Sequence, residues 1–108
     1  MENRSINILG TKYQIEIREL KNEGIDGFCD YTNRLIVVRE DNYNKVGNFE
    51  ILQKKQLRHE ILHAFMAESG LQSNWQHIEE FGHDETTADW FAIQSPKIFK
   101  VFQELDIL

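Results

Sequence analysis

The chain has a single cysteine, a single proline and no long apolar run, and each shortage excludes something. Cys29 alone cannot close an intrachain disulfide, so stability has to come from packing rather than cross-links. The longest apolar stretches, at residues 35–38 and 61–66, are far shorter than the roughly 20 residues a membrane helix needs. Positive charge is also scarce, with 12 Lys and Arg against 18 Asp and Glu and a formal net charge of −6. An acidic surface is repelled by phosphates, which argues against nucleic acid as a partner. The opening Met-Glu-Asn-Arg-Ser lacks the apolar segment of a secretory signal, and a cytoplasmic location is the expectation.

What is present suffices for one folded unit. Apolar residues make up 41% of the 108 positions, and seven Phe, three Tyr and two Trp supply the large side chains of a core. Disorder is excluded for the bulk of the chain, and a single domain over residues 1–108 is expected.

The hydrophobic pattern changes character near residue 45. Before it, Tyr13, Ile15 and Ile17 alternate with Gln14, Glu16 and Arg18, the period of a half-buried strand. Residues 6–9 read as its partner, with Gly10 in the turn. Residues 27–31 and 34–38 read as a second hairpin around Thr32-Asn33. The run Leu35-Ile36-Val37-Val38 is apolar on both faces and calls for a central or covered strand.

After Gly47 the period is helical. Asn48 is placed to cap a helix that runs to Ser69, where Gly70 supplies the left-handed stop. A polar connection containing Trp75 leads to a helix from Asp84 that ends before Ser95-Pro96. Pro96 then takes the first position of a last helix, whose Ile98, Phe99, Phe102 and Leu105 form one core stripe. The expected class is α+β: a small, mostly antiparallel sheet packed on the first helix, with two C-terminal helices behind it.

The first helix carries His59-Glu60-Ile61-Leu62-His63. Histidines at i and i+4 share a helical face, and their imidazoles can reach one zinc ion. Glu60, rotated by about 100°, can accept a proton from a water whose pKa the metal lowers, the requirement for metal-assisted hydrolysis. Packing alone is a poor explanation for the two histidines, because Ile61, Leu62, Phe65 and Met66 offer their ring nitrogens no partner.

A third ligand is needed. The pattern that extends this pentad places glycine at position 66 and histidine at position 69; the chain has Met66 and Ser69, and that class is excluded. Glu85 on the next helix is the favoured ligand, since Asp89 at i+4 can then orient a liganding histidine through its free ring N–H. Glu85 can equally be a first-turn acid complementing the helix dipole, and His83, Glu79, Glu80 and Asp84 are rival ligands.

The pentad followed by Glu85-x-x-x-Asp89 resembles the gluzincin metallopeptidases. The run Glu85-Thr86-Thr87-Ala88-Asp89-Trp90-Phe91-Ala92 resembles the second-helix motif of the ImmA/IrrE-type and small phage-encoded metallopeptidases. The resemblance spans residues 6–99 and implies a minimal zincin-like domain that hydrolyses peptide bonds. It implies zinc held by His59, His63 and Glu85, Glu60 as general base, Asp89 behind a histidine, and a peptide or protein as partner. Larger gluzincins add Tyr or His groups that stabilise the oxyanion, for which His77, His83, Tyr31 and Tyr43 are the candidates here. The reading from another class is a non-catalytic zinc domain, or a phage or host interaction module on the same fold.

Overall fold

A computed structural model describes residues 1–75 and 85–108; the side chains of Asn74, Trp75, Glu85, Thr86, Ala88, Asp89 and Ala92 lie outside that description. The elements run β1 (Arg4–Ile8), β2 (Thr11–Arg18), β3 (Gly27–Asp30), β4 (Leu35–Arg39), α1 (Phe49–Glu68), α2 (Leu71–Trp75) and α3 (Glu85–Glu104). This is an α+β arrangement of a four-stranded sheet and helices, in the order strands first and helices after.

Both hairpins form where the alternation placed them. Ile8 pairs with Thr11, which leaves Leu9 and Gly10 as a two-residue turn with φ of 52° and 91°. Positive φ at both central positions is the type I′ signature, whose twist matches that of the flanking strands. The Asn7 side chain accepts from the Gly10 N–H at 2.7 Å and closes the turn.

The two hairpins join through a parallel pair. The sheet order is β1-β2-β4-β3, with β2 and β4 parallel and the outer pairs antiparallel, so the sheet is mixed. Hairpin signals fix the order inside each pair; how the pairs dock depends on which strand is apolar on both sides. That strand is β4, with Ile36, Val37 and Val38 fully buried at the centre of the sheet. β3 is thereby left as an edge strand.

α1 starts and stops as the sequence marks it. The Asn48 side chain accepts from the Ile51 N–H at 3.3 Å, and Gly70 follows the Ser69 cap with φ of 84°. Leu57, Ile61, Ala64 and Phe65 recur at helical spacing and enter one core with Ile6, Ile8, Tyr13, Ile15, Ile36 and Val38. Glu68 closes the helix on the hairpin, accepting from Tyr13 Oη at 2.8 Å and Thr11 Oγ1 at 2.9 Å. Burial, then the bond to Glu68 and its charge, hold the Tyr13 hydroxyl protonated well above its ordinary range.

The C-terminal part differs from expectation in two places. Residues 71–75, read as connection, form the short helix α2. The break expected at Ser95-Pro96 does not occur: α3 runs through Pro96 without ending. An interior proline removes one helical hydrogen bond, yet the buried or half-buried Trp90, Ile98, Val101, Phe102 and Leu105 keep one phase across it. Continuous burial of that stripe outweighs the local penalty. Phe99, expected in the stripe, lies about 100° off it and is 46% exposed.

One buried cation stands apart from the core. Arg39 is 1% exposed, with its guanidinium 4.5 Å from the Tyr43 ring centre and 5.0 Å from that of Phe49. Asn44 Oδ1 accepts from Nη2 at 2.9 Å, and Asp26 supplies a counter-charge 3.1 Å from Nε.

Candidate metal centre

The same helical geometry that buries Leu57 and Ile61 builds a second stripe beside them. Gln56, His59, Glu60, His63 and Met66 follow one another around α1 and form one wall of an open cleft of about 560 Å³. Gly27, Phe28, Cys29 and Tyr31, from β3 and the turn after it, form the other wall, and Gln72 of α2 contributes as well.

Within the cleft His59, Glu60 and His63 each bring one donor atom to a common place, all within 4.8 Å of one another. The two imidazoles meet edge to face, with centroids 4.7 Å apart and Nε2 atoms 3.1 Å apart. Both rings are exposed to the cleft, whereas Glu60 is only 3% exposed. Glu60 Oε2 accepts a hydrogen bond from Gln56 Nε2 one helical turn earlier.

Gly27 explains how strand and helix come so close. A Cβ at this position would stand 2.6 Å from the Val37 carbonyl oxygen, 3.1 Å from Gln56 Cγ and 3.3 Å from Glu60 Oε2. Only glycine allows β3 to pass here without moving the neighbours.

The backbone of β3 adds polar groups to this wall. Arg39 N–H donates to the Asp26 carbonyl at 3.0 Å, which fixes the phase of the β3–β4 ladder. In an antiparallel ladder the bonded pairs alternate, so Phe28 exchanges bonds with Val37 while the N–H and C=O of Gly27 and Cys29 point away from β4. Those outward groups lie on the outer edge of the sheet, which pairs with no further strand among the described residues.

Cys29 is half-buried in the cleft wall and lies outside the cluster of donor atoms. Burial first, and then the charges of Glu60, Asp30 and Glu68, push its thiol up to about 12. In the metal-free protein a thiol held protonated in this way is a poor nucleophile.

No family model, curated protein or solved structure matches the chain. Its functional reading therefore rests on the geometry of this cleft and on the sequence.

Of the residues singled out in the sequence, His59, Glu60 and His63 come together. The backbone at Glu85 and Asp89 forms the first turns of α3, and their side chains lie outside the described residues. His77, Glu79, Glu80, His83 and Asp84 also lie outside them. Trp90 is half-buried and donates from Nε1 to Ser69 Oγ at 2.6 Å, which ties the N-terminal half of α3 to the end of α1. Tyr31 lines the cleft, whereas Tyr43 stacks on Arg39. Gln56 was not singled out in the sequence, and Gly27 was read only as the start of a strand. The i, i+4 spacing of Gln56 to Glu60 was a usable signal; nothing local marked Gly27.

Proposed function

We propose that the chain is a zinc-dependent metallopeptidase of minimal zincin-like architecture, with His59 and His63 as ligands, Glu85 completing the set, Glu60 as general base and Asp89 orienting a liganding histidine. The observation that carries this reading is the convergence of two imidazoles and one carboxylate in an open cleft beside the outer strand β3.

The donor set suits the metal. Two nitrogens held about 2.0–2.1 Å from a tetrahedral zinc stand about 3.3 Å apart. The His59 and His63 Nε2 atoms are 3.1 Å apart, within a few tenths of that separation. Imidazole and carboxylate are ligands that zinc accepts readily. When bound, zinc supplies a Lewis acid and lowers the pKa of water in the cleft.

The chain's own groups then do the rest. Glu60 takes the proton of the attacking water and returns it to the leaving amine nitrogen. The outward N–H and C=O groups of Gly27 and Cys29 bind an extended peptide as an added strand, which sets the scissile carbonyl against the histidine pair. Tyr31 is the hydroxyl donor in the cleft lining available to a developing oxyanion.

The exposure of both histidines favours this over a non-catalytic zinc domain. A structural zinc site is closed by four protein ligands, whereas these rings open into a cleft with room for substrate. No helix among the described residues is long and apolar enough to cross a membrane.

The test is hydrolysis of a mixed peptide library by zinc-loaded wild type and Glu60→Gln. Cleavage by wild type that falls at least about 100-fold in the variant, with zinc still bound, is expected. Equal cleavage by both proteins contradicts the role given to Glu60.

A further inference from the structure

We propose that Gln56 is a positioning residue for Glu60, holding one oxygen of the carboxylate so that the other faces the reaction; this rests on the metallopeptidase reading. Gln56 and Glu60 are one turn apart on α1, and Gln56 Nε2 donates to Glu60 Oε2. Among the described residues this is the hydrogen bond that Glu60 makes, although its side chain is 3% exposed. A carboxylate buried to that degree needs a donor to stay in one rotamer, and the amide is the group that supplies it.

The pair also lies close to β3. A Cβ at Gly27 would stand 2.6 Å from the Val37 carbonyl oxygen, and 3.1 and 3.3 Å from Gln56 Cγ and Glu60 Oε2, so the pair lies close beneath the strand. The Gln56 amide holds Oε2, and Glu60 Oε1 carries the remaining acceptor capacity. Proton transfer depends on that oxygen standing within hydrogen-bond reach of the water. A displacement of about 1 Å lowers such a rate by about 100-fold.

A purely structural role for Gln56 makes a different forecast. Loss of the amide would then lower stability, or change zinc binding, and would leave the chemical step alone. Methionine replaces glutamine with similar length and volume and removes the donor. Gln56→Met is therefore the variant to compare, with kcat, KM, zinc affinity and Tm measured together, alone and combined with Glu60→Gln.

The expected result is kcat lower by about 10- to 100-fold, with KM and zinc affinity within about twofold of wild type, and no further loss when the change is added to Glu60→Gln. Unchanged kcat in Gln56→Met overturns the proposal, as does an equal additional loss in the Glu60→Gln background. Wild-type protein that binds zinc and cleaves no peptide refutes the enzyme reading itself, and the inference falls with it. A measurement that needs no variant is the side-chain amide of Gln56 in a nitrogen-15 correlation spectrum of wild type. One amide proton shifted downfield and slow to exchange supports the contact. An amide that behaves like those of exposed glutamines removes it.

Discussion

Gly27→Ala separates this structure from the general behaviour of glycine in strands. Gly27 is not among the positions of positive φ, so alanine meets no backbone strain there. At such a site alanine ordinarily stabilises by about 0.4–1 kcal/mol, because it restricts the unfolded chain. Here the new methyl would stand 2.6 Å from the Val37 carbonyl oxygen, a backbone atom in the central strand that has no side-chain freedom to retreat. Gln56 and Glu60 stand behind it at 3.1 and 3.3 Å. Overpacking of this kind costs about 1–3 kcal/mol. For a domain of this size that is a fall in Tm of roughly 4–20 °C. Thermal and urea unfolding of both proteins would measure it. Equal or higher stability of the variant would refute the tight packing at Gly27 against Val37 of β4 and the side chains of α1.

Two further predictions follow from local features. Leu9 occupies a left-handed position that costs an ordinary residue about 1–2 kcal/mol, so Leu9→Asn is expected to raise stability by about 1 kcal/mol in urea unfolding. A loss would place the turn in another conformation. The Cys29 thiol, raised to about 12, is expected to react with iodoacetamide at pH 8 about 1,000-fold more slowly in metal-free protein than an unhindered cysteine. The sign for stability follows from the same shift: the folded state keeps a proton that the unfolded state has lost. The contribution is therefore full below pH about 9 and falls as pH rises toward 12, which alkaline unfolding checks. Rapid alkylation at pH 8 would contradict the half-buried placement in the cleft wall.

The strands and the motif helix were legible because their signals are local. Alternation around Tyr13 and Ile15, the Asn48 cap and the Gly70 stop each act within a few residues, and each appears where the sequence marks it. The parallel pairing of β2 with β4 was not legible, since it depends on two hairpins meeting across the chain. Pro96 misled for the opposite reason: a strong local breaker is overridden by a stripe of buried side chains that extends on both sides of it. In the site, His59, Glu60 and His63 were marked by spacing alone. Gln56 and Gly27 gain their meaning from the strand that passes over the helix, which no window of the sequence contains.

The proposed function depends on zinc held by His59 and His63. Mass spectrometry under native conditions, with zinc added and then removed by dialysis, would compare wild type, His63→Ala, Glu85→Ala and Glu60→Gln. One zinc per chain is expected in wild type and Glu60→Gln, none in His63→Ala, and much weakened binding in Glu85→Ala. Wild-type protein that takes up no zinc, or His63→Ala that retains it fully, would contradict the account.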